Sequence, residues 1–342
     1  MRKGPWITAL SLGMGLFFSA CVVRLVGVSP VAAGKTLLRG GMGDASAWSE
    51  TLVKATPLLL VAGGLCVAFR ARYWNIGAEG QICAGTVACT WFALHMPPMP
   101  AIFSVPFLLF TGGLAGAGLG AVSGALRAYR GVNEIITTIM MNYVALHAVG
   151  YLVEGPMRDP QGYLPESAEV PSWVLLPSLS HARIHAGFPL AIAALLLLYV
   201  LLKKTVWGFT WEAVGHNPRA AAFAGIRVRR TLLSVAAWSG AMAGVAGAVE
   251  VLGIHFRLRE MISSGYGFTA IAVALLGRSH PVGVLFAGVL LAAFQVGADQ
   301  MERELSVPSS VVLFLQALIV LSVLAGETVR SRWEETRGGG EG

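Results

Sequence analysis

Apolar runs of membrane-crossing length alternate with short polar connections along almost the whole chain. A helix needs roughly 20 apolar residues to cross a bilayer core, and tilt relaxes that length. On this basis about ten spans are expected, near residues 6–28, 51–69, 77–95, 102–128, 134–153, 187–202, 231–253, 266–277, 282–298 and 308–325. The eighth is short for a full crossing. The predicted class is an all-α polytopic membrane protein.

One stretch interrupts the pattern. Residues 207–238, WGFTWEAVGHNPRAAAFAGIRVRRTLLSVAAW, make a polar, basic excursion between two apolar spans, too short to be a domain. Residues 212–214 and 219–224 each suit a helical turn. His216-Asn217-Pro218 separates them, because Asn-Pro favours a turn followed by a helix start. Gly225 stands where a C-cap glycine would end the second turn. A short helix held at the membrane surface suits a soluble partner. The candidate docking residues are Glu212, Val214, Gly215, Asn217, Pro218, Ala221, Ala222 and Gly225.

Spans two to five are expected to start on one side of the membrane and spans seven to ten on the other. Each group holds a glycine-rich polar break, residues 75–81 in the first and 263–267 in the second. Paired breaks in oppositely oriented halves suggest an inverted repeat. The single transmembrane domain, 1–342, then divides into a first span with its external loop (1–50) and a first repeat (51–153). The connecting region with the sixth span and the cytoplasmic excursion (154–230), a second repeat (231–327) and a cytoplasmic tail (328–342) follow.

Composition supports a membrane domain. The chain is 55% hydrophobic and 13% charged, about half the charge of an average soluble domain, and its mean hydropathy is +0.68. The net charge of +7 is a topology signal rather than a nucleic-acid footprint, because cytoplasmic loops collect Lys and Arg. With a cytoplasmic N-terminus, Arg70, Arg72, Arg127, Arg130, Lys203, Lys204, Arg219 and the cluster Arg227, Arg229, Arg230 all fall inside. Both termini are then cytoplasmic. The expected location is the bacterial plasma (inner) membrane.

Within the spans, polar residues are few. Asn75, Glu79 and Gln81 form the first break, with Glu79 placed to cap a helix or to pair with Arg72. Asn142 lies about two turns inside span five, after a candidate N-cap at Asn133, and Glu250 ends span seven. These five, Asn75, Glu79, Gln81, Asn142 and Glu250, are candidate pathway-lining residues. Gly112, Gly116, Gly120 and Gly124 share one face of span four, and Gly240 and Gly244 one face of span seven. Such faces pack helices closely or form a dimer seam.

Enzyme signatures fail. Gly34-Lys35-Thr36 has the ending of a phosphate loop without its first glycine, Ser29 standing there. His181 and His185 have metal-like spacing but no third ligand. The four cysteines lie in apolar runs without metal spacing. No catalytic residue, metal or cofactor is expected. A secondary transporter driven by an ion gradient would need a carboxylate relay near mid-membrane, and Glu79, Glu134 and Glu250 lie near span ends.

Four stretches carry a resemblance: FRARYWNIGAEGQ (69–81), GVNEIITTIMMNYVA (131–145), VGHNPRAAAFAGI (214–226) and GYGFTAIAVALLGRSHPVG (265–283). Together and in this order they resemble the permeases of ATP-binding cassette (ABC) importers in the branched-chain amino acid/ribose (simple-sugar) group, closest to its nucleoside-uptake branch. That resemblance implies a ten-helix, type II importer-like permease and assigns residues 214–226 to the coupling helix. It also implies a cytoplasmic ABC ATPase, a second permease subunit and an extracytoplasmic solute-binding lipoprotein. The expected solute is a nucleoside or related small polar molecule, with ribose or another simple sugar as the alternative. Trp211 and His216 depart from the family pattern.

Overall fold

The computed structural model describes residues 5–179 and 183–338. It is helical. In chain order the helices are α1 (Pro5–Leu25), α2 (Pro30–Met42), α3 (Ala45–Arg70), α4 (Ala78–His95), α5 (Ala101–Arg130), α6 (Glu134–Glu154) and α7 (Gly187–Lys204). There follow α8 (Val206–His216), α9 (Pro218–Phe223), α10 (Val228–Glu250), α11 (Tyr266–Leu276), α12 (Pro281–Leu305) and α13 (Ser309–Gly338). A π-helical turn, Val251–His255, continues α10; such turns recur at functional sites.

Every expected span falls on a helix, and several have the length and hydropathy to cross a bilayer unaided. Among the described residues six do: α3, α5, α6, α7, α12 and α10 with its π turn. A seventh follows if the helical pair broken by 110° between α1 and α2 is one span. Two of the other expected spans differ for physical reasons. Helix α11 has 11 residues, too few for a crossing, and α4 is diluted by Glu79, Gln81, Thr86 and Thr90. The expected external loop after span one is helical as α2, started by Pro30 in the first turn. Gly34-Lys35-Thr36 lies within that helix and forms no loop.

The chain forms two compact units, residues 1–51 with 290–342, and residues 52–289. In the first, Val23, Ala33, Met301, Val307, Val312 and Leu315 make a buried cluster. The Thr51 hydroxyl donates to the Gly41 carbonyl at 2.8 Å.

The second unit is built around α10. A Cβ on Gly240 would fall on the Gly116 carbonyl, one on Gly244 on the Gly112 carbonyl, and one on Gly247 on the Ile82 carbonyl. Small residues therefore face both α5 and α4, and backbones approach where hydrocarbon gives side chains no hydrophobic reason to associate. The glycine face of α5 is consumed inside this chain, so the seam is internal.

Residues 155–179 lace onto the segment after α10. The Ser167, Val170 and Leu176 amides donate to the carbonyls of Leu258, Phe256 and Leu252 at 2.8, 2.8 and 2.9 Å. Arg257 pairs with Glu166 at 2.8 Å and Glu169 at 3.3 Å. Val170 and Val174 pack on Leu108, Cys89 and Ile262. This connection is an ordered cover, and two of its acids are spent on Arg257.

His181 lies outside the described residues. His185 is buried, its ring wedged against Gly187 and Gly253, with Nδ1 accepting from the Gly187 amide at 3.1 Å. Burial lowers its pKa from the ordinary 6.5. The folded chain therefore stays neutral at His185 while the unfolded chain takes up a proton, so stability present above pH 6.5 is lost as pH falls toward the depressed value. The thermal midpoint should drop between pH 7.5 and 5.5, and the His185→Asn chain should show a shallower slope.

Candidate functional site

The excursion after α7 folds as two helices set at an angle. Thr205 caps α8, its Oγ1 accepting from the Gly208 amide at 3.4 Å. Asn217 caps α9, its Oδ1 accepting from the amides of Arg219 and Ala220 at 3.0 and 3.1 Å, with Pro218 in the first turn. At the far end Ile226 N–H donates to Ala221 O and Gly225 N–H to Ala222 O, both at 3.0 Å. Gly225 has φ +84°. This is a Schellman ending, which a glycine in the left-handed region allows.

The first helix is longer than the turn expected over 212–214. Trp207, Trp211 and Trp238 explain it: their rings follow one another at 6.1 and 6.0 Å, and Trp211 Nε1 donates to Ser234 Oγ at 3.1 Å. Trp211 is thus a buried anchor between α8 and α10.

Helix α8 rests on the end of α3. A Cβ on Gly215 would strike the Arg70 carbonyl. Arg70 reaches Glu212 at 3.5 Å, and its Nε donates to the Ser279 carbonyl at 2.8 Å, in the turn between α11 and α12. Arg70 therefore joins α3, α8 and the α11–α12 turn. As a half-exposed ion pair its Glu212 contact contributes little energy; its value is positional. Val214, Gly215 and Ala221 are buried, while Glu212, Asn217, Pro218, Ala222 and Gly225 face outward. Phe223 is 94% exposed at the tip of α9. Arg70 and Phe223 were not among the sequence candidates. Arg70 had counted only as a topology charge, and nothing in AAAF says which way the ring points.

The polar break residues form a closed network. Asn75 Nδ2 donates to Gln81 Oε1 and to Ser239 Oγ, both at 2.9 Å, and Asn75 Oδ1 accepts from the Gly77 amide at 3.0 Å. Asn142 Oδ1 accepts from the Gly80 amide and Asn142 Nδ2 donates to Ile76 O, both at 2.8 Å. These satisfy the broken backbone that lipid cannot. Glu79 pairs not with Arg72 but with the second break: its carboxylate accepts from the amides of Gly265 at 3.1 Å and Gly267 at 2.7 Å, at the start of α11. The carboxylate meets the positive end of a helix. Asn133 caps α6, as expected. Glu250 is buried apart from this network, 3.3 Å from His255 Nε2, which Arg259 reaches in turn at 2.8 Å through Nδ1.

Replacing Glu79 by Gln leaves one acceptor oxygen for two amides. Charge-assisted hydrogen bonds contribute about 1.5–3 kcal/mol, so Glu79→Gln should cost about 2 kcal/mol, read as a lower thermal midpoint in detergent. An unchanged midpoint would show that the two breaks are not tied through this carboxylate.

The family model described as branched-chain amino acid transport system / permease component matches residues 48–324. The chain belongs to that family. Over 328 residues this permease is 35% identical to the guanosine ABC transporter permease protein NupP of Bacillus subtilis, covering 95% of this chain and 94% of that one. It is 36% identical over 334 residues to the glucose ABC transporter permease protein TsgB13 of Haloferax volcanii, covering 94% and 87%. To the nucleoside ABC transporter permease protein NupB of Lactococcus lactis it is 31% identical over 327 residues, covering 93% and 90%. No solved structure matches. The permease is a multi-pass membrane subunit of an ABC importer.

Proposed function

We propose that this permease carries a nucleoside, or a closely related small polar solute, inward, driven by a separate cytoplasmic ABC ATPase that docks on α8 and α9. The observation that carries this reading is the Asn217-capped pair of helices. It is seated on Arg70 and Trp211 on one side and presents Phe223 to solvent on the other. An exposed aromatic on a braced surface helix has the form of an interface anchor. Force applied at Phe223 passes through Gly215 and Arg70 to α3 and to the α11–α12 turn.

The basic residues of these connections support a cytoplasmic location for α8 and α9, and the same charge bias in sequence supports it for both termini. An extracytoplasmic binding protein is the delivery partner, and a second permease subunit completes the pathway. Because Asn75, Asn142 and Glu79 are spent on backbone partners and Gln81 on the Asn75 side chain, solute affinity resides in the binding protein, and these residues act when the breaks rearrange. The similarity to guanosine and nucleoside permeases supports the solute class. The comparable identity to a glucose permease favours simple sugars as the second reading.

The test is co-purification with the partner ABC ATPase. Phe223→Asp should weaken association on the order of 30-fold, the effect of losing a 2 kcal/mol anchor. The isolated permease should keep its thermal midpoint, because Phe223 packs on little. Retained association would remove α9 from the interface. Uptake of labelled guanosine by the complete system, dependent on ATP and insensitive to an uncoupler, separates this reading from ion-driven transport.

A further inference from the structure

Helices α5, α7, α8 and α10 leave between them a groove of about 410 Å³, walled by Ala117, Leu201, Trp207, Trp211, Trp238 and Ala241. That size lies within the roughly 300–1,000 Å³ of small-molecule sites. The lining hydroxyl, on Ser234, is already committed: it accepts from Trp211 Nε1 at 3.1 Å and donates to Thr231 O at 2.8 Å. Trp238 Nε1 is buried and has no hydrogen-bond partner among the described residues.

The groove opens toward hydrocarbon. One turn along α5 from Ala117, Leu114 is exposed; one turn along α7 from Leu201, Leu197 is exposed. Both helices have the length and hydropathy of membrane spans. The other end of the groove is basic. Lys204 stands three residues after Leu201 on α7, and Arg230 four residues before Ser234 on α10. These spacings put both on the groove faces of their helices, and both are exposed. An apolar cleft floored by indoles, ending in two cations where the helices leave the membrane, has the polarity profile of a phospholipid.

We propose that this groove is a binding site for a glycerophospholipid with an anionic headgroup. Its acyl chain lies on Trp211 and Trp238, and its phosphate sits at Lys204 and Arg230. A second copy of the chain related by a two-fold axis is disfavoured as occupant, because it would bring its own Lys204 and Arg230 toward the first pair. The bound chain would brace α8 from the membrane side, opposite the exposed Phe223. This site stands whether or not α9 proves to be the ATPase contact.

The experiment places the purified full-length permease in nanodiscs doped with acyl-chain-brominated phosphatidylglycerol or phosphatidylcholine and reads tryptophan quenching. Brominated phosphatidylglycerol should quench at a mole fraction on the order of tenfold lower, given two cations near an anionic surface. The Lys204→Gln/Arg230→Gln pair should abolish that preference, and both positions are exposed, so folding is spared. Ala237 also lines the groove, and Ala237→Phe, which fills it, should reduce quenching by either lipid. Equal quenching by the two lipids would overturn the proposal. So would a preference that survives the double substitution, or cross-linking from Ala237→Cys that captures a second permease subunit instead of lipid.

Discussion

A single methyl group at Gly116 or Gly240 should cost this permease a large part of its stability. A Cβ at either position falls on the carbonyl of the other, and the Gly116 Cβ also lies 2.8 Å from Gly244 Cα. The obstacles are helix backbones, which cannot swing aside as a flexible side chain does. Overpacking a core costs about 1–3 kcal/mol, and a backbone clash belongs at or above the upper end. Gly116→Ala and Gly240→Ala should therefore lower the ratio of folded to unfolded chain about 100-fold, at roughly 3 kcal/mol. The readout is a lost monodisperse peak in detergent. Gly118→Ala is the control, because nothing lies within 4 Å of its Cβ position, and its thermal midpoint should stay unchanged. If Gly116→Ala behaves like Gly118→Ala, α5 and α10 do not meet as described.

The second large effect is expected at the end of α9. Gly225 has φ +84° and donates its amide to Ala222. Proline holds φ near −65° and has no amide hydrogen, so Gly225→Pro destroys the Schellman ending on both counts. Ala221, 4% exposed, faces inward from the same short helix, and Ala221→Asp places a carboxylate where it has no water. Each substitution should displace α9 and reduce ATP-driven uptake by about tenfold or more, the equivalent of about 1.4 kcal/mol or more at the contact. The spans should stay intact, because α9 is six residues long and leans on them lightly. Assembled complexes that transport at the normal rate would remove α9 from the coupling path. Phe223→Asp complements these two, since it alters the outward surface and leaves the helix ending alone.

Polarity along the chain was enough for the class and for the punctuation. Apolar runs separated by basic connections can only be stable as helices that satisfy their own backbone in lipid, so the helical membrane fold was legible without coordinates. Asn217-Pro218 and Gly225 also spelled out a helix start and a helix stop, because capping is local chemistry. Asn133 was legible for the same reason.

Pairings distant in sequence were not. Glu79 and Gly267 are 188 residues apart, and Arg70 and Ser279 are 209 apart. A carboxylate looks the same in the chain whether it caps its own helix, answers Arg72 or holds the start of another helix. The glycines of α5 announced a close approach but not to which helix, since a small-residue face serves an internal seam and a dimer equally well. Length and composition likewise cannot tell a short helix packed inside the bundle from one that crosses the bilayer. Local rules thus determined where helices begin, end and avoid water. Which polar groups meet, and which glycine face closes on which backbone, was decided only when the chain folded, because those contacts depend on three-dimensional proximity that no window of sequence contains.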